Sequence, residues 1–182
     1  MTVEYIVLLA VLIAIGAVCR LIQPMFSQYA SGSIALFVTI MVSIVFGKET
    51  GFIVGALTEL VPIKGIGFWL VYTMIASGLI GFIAGILSKK LNMKGVAGAT
   101  VRGIFAIASA LAYGVITSLS MVFFYGYPVT YLYKAIFINP WLRIAILLVL
   151  LLIAYTPIRN ALIRAKKRYL CSTEEIPQSK TS

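Results

Sequence analysis

The chain has 182 residues, of which 62% are hydrophobic and 11% charged, with a formal net charge of +10 and a mean hydropathy of +1.06. Soluble domains carry about 25% charged residues, so the composition predicts an all-α integral membrane protein, a single compact bundle with no separate soluble domain of ordinary size. The absence of His and Asp excludes His-based general-base or nucleophile chemistry, His-ligated metal or haem sites and the paired aspartates of intramembrane proteases, and no catalytic residue, cofactor or metal is expected.

Six apolar stretches follow, at 5–22, 34–46, 51–63, 68–87, 101–124 and 141–155. They are uniformly apolar and too long for barrel strands, and open sheet edges do not survive in hydrocarbon, so each is predicted to be a transmembrane helix. The first reads as a retained helix rather than a cleaved signal: only Glu4 is charged ahead of it, and Val18 before Cys19 spoils a small-residue cleavage or lipidation site. On it Ala10, Ala14 and Ala17 recur at spacings of four and three, a stripe that Val3, Val7 and Leu21 extend. Another helix can approach closely there, either inside the bundle or from a partner. Gln23 falls roughly opposite this stripe, and Arg20 about a quarter turn away.

The second and third stretches are short, about 20 Å each at 1.5 Å per residue. They sit deep in the bundle or together form a re-entrant hairpin. Between them, Phe46-Gly47-Lys48-Glu49-Thr50 faintly resembles the end of a phosphate-binding loop, but Val42 stands where that loop needs glycine and Glu49 where it needs Ser or Thr. No ATPase is encoded. The third stretch carries Glu59, a carboxylate at membrane depth, where an ionised side chain costs roughly 2.5 to 3.5 kcal/mol even on lenient insertion scales. It needs a partner or a ligand, and Lys64 and the outer arginines are the candidates.

The fourth stretch presents Trp69, Tyr72, Thr73 and Ala76 as one stripe, and the fifth presents Tyr113, Thr117 and Ser120. The loop that follows adds Tyr125, Tyr127, Tyr131, Tyr133 and Lys134, and Asn139 and Arg143 share a face of the sixth stretch one turn apart. Part of this aromatic set belongs to the interfacial belt that amphipathic rings form at headgroup level. Together with Gln23, Glu59, Lys64 and Arg20, the remainder suits a pocket opening outward, with Trp69, Tyr72 and Tyr125 in its walls and Thr73, Asn139 and Arg143 as polar fixings. Basic residues around Glu59 mildly favour an anionic or zwitterionic ligand held by Arg20 and Arg143.

Glycine rows at Gly47, Gly51 and Gly55, at Gly81 and Gly85, and around Gly95 to Ala106 read as packing devices, and Arg102 as a side chain reaching toward the membrane surface. With the amino terminus inside, eleven of the fifteen basic residues fall in cytoplasmic connections or the tail, leaving Arg20, Lys64, Lys134 and Arg143 outside. That asymmetry places both termini in the cytoplasm of a multi-pass cell-membrane protein. The net charge is thus a topology signal, not a nucleic-acid footprint. Cys19 and Cys171 fall on opposite sides and are not expected to pair. The substrate-binding bundle is assigned to 1–163 and a cytoplasmic tail to 164–182; the basic run from Arg159 to Arg168 contacts anionic headgroups, and the polar end beyond Leu170 is disordered.

With a small six-helix bundle, Ala10-x-x-x-Ala14 on its first helix, short second and third helices, Gly51-x-x-x-Gly55 leading to Glu59, and Gly65-x-Gly67-Phe-Trp69 before Gly78-x-x-Gly81-x-x-x-Gly85, residues 1–163 resemble the substrate-binding S component of an energy-coupling factor (ECF) transporter. The resemblance implies capture of a vitamin or similar micronutrient from outside, followed by association with a transmembrane T component and two cytoplasmic ATPases. Ala10 and Ala14 occupy the positions that meet the T component in that family. Metal-specific relatives use an amino-terminal histidine, so nickel or cobalt is not expected here. The alternatives are a scaffold or assembly factor that recruits a partner through its apolar faces, and a stand-alone small carrier.

Overall fold

A computed structural model describes residues 3–21, 28–60, 68–133 and 140–171, and these are helical with no strand among them. The helices are α1 (Val3–Leu21), α2 (Gln28–Phe46), α3 (Lys48–Leu57), α4 (Phe68–Ile86), α5 (Ser88–Leu91), α6 (Gly95–Tyr125), α7 (Thr130–Tyr133), α8 (Pro140–Val149) and α9 (Tyr155–Cys171). A π-helical segment, Leu150–Ala154, joins α8 to α9. Gly95–Tyr125 and Pro140–Lys167 are long and apolar enough to cross a membrane, and Ile6–Leu21, Gly32–Phe46 and Leu70–Ile86 are shorter apolar helices.

Burial runs in the sense expected of a lipid-embedded bundle. The outward face of α4 is Val71, Ile75, Leu79, Ile83 and Ile86, all exposed, while its inward face buries Thr73 and Ser77 beside Ala76, Ile80 and Ala84. Hydroxyls elsewhere in the interior, on Ser43, Ser109 and Ser120, bond backbone carbonyls, which removes the cost of burying them. Contiguous apolar surface of this extent is not left open to water by a soluble monomer.

The core is organised around α2. Leu36, Phe37, Ile40, Met41 and Ile44 pack with residues of α4, α6, α8 and the π segment, and Val42 packs with Leu12 of α1 and Val54 of α3. Of the two arrangements left open for the short stretches, α2 thus takes the deeply buried one. It is also longer than its apolar run suggests, because Gln28 to Ser33 join the helix despite their polarity.

Between α3 and α4 the backbones approach too closely for any side chain. A Cβ on Gly55 would meet the Ser77 carbonyl oxygen at 2.6 Å, and one on Gly81 would meet the Gly51 carbonyl carbon at 2.7 Å. These glycines therefore place the end of α3, and with it Glu59, at a fixed height beside α4. The turn that lets α3 fold back from α2 is at Gly47, whose φ of 106° disfavours any L side chain.

At the end of the bundle that carries Lys48, Arg102 turns onto a helix end. Its Nη1 donates to the carbonyls of Leu91 at 3.0 Å and Met93 at 3.3 Å, and its guanidinium stacks 4.6 Å from the Tyr155 ring centre. Carbonyls at a helix end lack intrahelical partners, and a nearby cation satisfies them. The Tyr155 hydroxyl donates to Asn92 Oδ1, fixing the joint where the π segment precedes Pro157, a residue that has no N–H to close onto Ile153. Beyond this joint α9 packs against α1 and α2, and Lys166 Nζ donates to the Val45 carbonyl at 2.7 Å. The basic run is therefore helical and tied to the bundle through Lys166; residues 172–182, expected to be disordered, lie outside the described residues.

Candidate functional site

Three elements bring charge together at the opposite end of the bundle. Arg20 comes from the last turn of α1, where Leu12, Gly16 and Arg20 form the buried stripe at four-residue spacing. Gly16 lies against Thr58, the residue before Glu59, so the absence of a side chain on α1 lets it meet the end of α3. Glu59 sits in the turn that closes α3, its backbone N–H on the Ala56 carbonyl at 3.2 Å. The two side chains form an ion pair at 7% and 3% residue exposure.

Tyr113, from the middle of α6, completes the group. Its hydroxyl donates toward Glu59 Oε1 and Oε2 at 3.2 and 3.3 Å and accepts from Arg20 Nη1 at 3.3 Å. Two guanidiniums stand over its ring, that of Arg143 on α8 at 4.8 Å and that of Arg20 at 5.8 Å. Ser33 of α2 donates to the Arg143 carbonyl at 3.2 Å, which holds α8 in register beside it. Ser77 of α4 stands next to the Glu59 carboxylate. Arg20 Nε and Ser77 Oγ are buried without a hydrogen-bond partner among the described residues. The group therefore has spare donors, a cation-flanked aromatic face and no internal net charge at the Arg20–Glu59 pair.

Of the residues that the sequence singled out, Arg20, Glu59 and Arg143 converge here. Thr73 is buried on the same inward face of α4 as Ser77, but its hydroxyl is spent on the Leu70 carbonyl at 2.8 Å. Tyr72 points to the outside, its ring 5.0 Å from that of Phe124, and Tyr125 is 48% exposed near the end of α6. Both have the exposure of interfacial aromatics. Trp69 lies in the first turn of α4, where only the backbone is described, and Gln23, Lys64 and Asn139 lie outside the described residues.

Tyr113 was legible only as one member of a polar row with Thr117 and Ser120. Those two hydroxyls turn back onto their own helix, at 2.8 Å to the Tyr113 carbonyl and 2.7 Å to the Thr117 carbonyl. What sets Tyr113 apart is reach: its hydroxyl stands far enough from the α6 backbone to meet a carboxylate on another helix. On the far side of α1, Ala10 and Ala14 are exposed and Ala17 is half-buried, within a face that also exposes Val7, Val11 and Val18.

Among known families, the one described as ECF-type riboflavin transporter, S component, matches residues 1–160. No curated protein and no solved structure matches the chain.

Proposed function

Because the chain belongs to the ECF-type riboflavin transporter S-component family, we propose that it is the membrane-embedded substrate-binding subunit of an ECF-type importer and that its ligand is riboflavin. The family is a transport family, not an enzyme class. The observation that carries the reading is the extent of the match, residues 1–160 of 182. In this reading the bundle spans the cell membrane six times, both termini are cytoplasmic, and the Arg20–Glu59 end opens outward.

Riboflavin is a flat tricyclic ring with a neutral polyol chain. Such a ligand needs a stacking surface and hydrogen-bond donors, not a charge anchor. The Tyr113–Arg143 stack and the hydroxyl of Ser77 nearby support it. The pairing of Arg20 with Glu59 turns the balance away from the anionic or zwitterionic ligand that the basic residues suggested, since each guanidinium charge already answered by a carboxylate is one fewer to hold an anion. Arg20 and Glu59 then shape the pocket by holding Tyr113. Gln23, Lys64, Trp69 and Asn139 are proposed as further lining, and Tyr72 and Tyr125 as interfacial aromatics outside it.

Uptake requires energy, and this chain has no phosphate-binding loop, so a transmembrane T component and two cytoplasmic ATPases supply it. Ala10, Ala14 and Ala17 form the docking face, which the outward exposure of the first two supports. Mass spectrometry of the small molecule that co-purifies in mild detergent tests the ligand, with riboflavin expected. Vesicle uptake with and without T component and ATPases tests the energising step. Uptake by the chain alone would identify a stand-alone carrier, and the absence of any bound small molecule would favour a scaffold.

A further inference from the structure

On the outside of the α3–α4 pair, away from α1 and from the buried ion pair, a groove of about 420 Å³ is lined by Phe52, Ile53, Leu79 and Phe82, with Glu49 at its mouth. The groove exists because Gly78 lets the Phe52 ring lie flat against α4: a Cβ on Gly78 would come within 3.0 Å of that ring. Its walls are exposed, with Phe52 at 38%, Ile53 at 46% and Leu79 at 42%. At its mouth the Lys48 ammonium stands 5.6 Å from the Phe82 ring centre, and the Lys48 backbone packs on Gly85. The α4 helix runs on into α5 through the Leu87 N–H to Ile83 and Leu91 N–H to Leu87 bonds, 2.9 Å each. Helical periodicity therefore carries the face of Phe82 and Gly85 to Lys89. Lys48, Lys89 and Lys90 are all exposed, against the single carboxylate of Glu49.

We infer that this groove is a binding site for one anionic phospholipid, its acyl chain lying between Phe52 and Leu79 and its phosphate at Lys48 and Lys89. The apolar lining offers nothing to a polar ligand. Lys48 stands beside Phe82 of the groove wall and Lys89 continues that helical face, and each basic residue near a membrane surface adds attraction for an anionic headgroup. Arg102 and Lys166, at the same end of the bundle, are spent on backbone carbonyls, whereas Lys48, Lys89 and Lys90 stay exposed. The inference does not depend on which vitamin the protein binds.

The test is native mass spectrometry of the full-length protein in detergent, titrated with palmitoyl-oleoyl phosphatidylglycerol, phosphatidylethanolamine or phosphatidylcholine. Wild type is expected to retain one phosphatidylglycerol in preference to either zwitterionic lipid. Lys48→Ala with Lys89→Ala is expected to lose that preference by about tenfold or more. Leu79→Trp, which fills the groove from an exposed position, is expected to lose the retained lipid whatever its headgroup. Equal retention of the three lipids by wild type overturns the inference. So does a preference for phosphatidylethanolamine, which would make Glu49 the headgroup contact, or an unchanged preference in the lysine double variant. Thermal unfolding of the same variants in detergent checks that each is folded.

Discussion

Glu59 has two neighbours on its carboxylate that limit what it does. With Arg20 and the Tyr113 hydroxyl both on its carboxylate, neutralising it leaves a buried guanidinium without a counter-charge. Removing one partner of such a pair costs about 3 to 5 kcal/mol, whereas replacing both with apolar residues of similar size is often neutral or better. Glu59→Gln is therefore expected to lower the thermal unfolding midpoint in detergent far more than Arg20→Met with Glu59→Leu; a double variant as unstable as the single one contradicts the pairing. Tyr113→Phe keeps the ion pair and loses the hydroxyl's hydrogen bonds to charged groups, about 1.5 to 3 kcal/mol, so its effect on stability is smaller than that of Glu59→Gln. If the Tyr113–Arg143 stack holds the ligand, Arg143→Ala weakens binding with stability nearly unchanged. At this scale the sequence announced Glu59, because an acid at membrane depth is anomalous by type alone. It did not announce which base answers it: Arg20 lies 39 positions away, and the meeting of Gly16 with Thr58 brings α1 to the end of α3.

Helix lengths were legible where apolarity and helicity coincide, as in α4, and illegible where they part. α2 begins six residues before its apolar stretch and α6 six before its own, since small and polar residues propagate a helix inside a bundle once a neighbour covers them. Gly51, Gly55, Gly81 and Gly85 pack as read, because a spacing of four on one helix matched by another on the next has few other uses, whereas Gly47 and Gly95 serve backbone turns at positive φ and a Cβ on Gly103 would meet nothing. Gly55→Val, which drives a branched side chain into the Ser77 carbonyl, is expected to destabilise by about 1 to 3 kcal/mol or more. Gly103→Ala is the control, since a Cβ there meets nothing within 4 Å, and it is expected to stabilise by up to about 1 kcal/mol through helix propensity. Thermal unfolding in the presence of a fixed lipid mixture compares the two. A Gly55→Val protein as stable as wild type would show that α3 and α4 do not approach as described.

For the molecule as a whole, two faces of α1 are assigned different work. Leu12, Gly16 and Arg20 face the bundle, and Ala10 and Ala14 face out. Ala10→Trp with Ala14→Trp is accordingly expected to leave riboflavin affinity within about twofold and to abolish co-purification with the T component; loss of affinity together with loss of association would mean that the stripe packs inside the monomer. Composition made the membrane class plain, and the alanine spacing made the transport family recognisable, but neither carried the identity of the ligand. Ligand chemistry resides in which side chains meet across helices, and no spacing along the chain encodes that. The central claim is that this bundle, without its partners, binds riboflavin at the Arg20–Glu59–Tyr113 end. A fluorescence-quenching titration of the purified protein with riboflavin, set against a panel of other vitamins, tests it most directly. The account predicts saturable one-to-one quenching by riboflavin that is weakened at least about tenfold in Arg143→Ala; no saturable riboflavin binding by folded wild-type protein, or tighter binding of an unrelated vitamin, would contradict it.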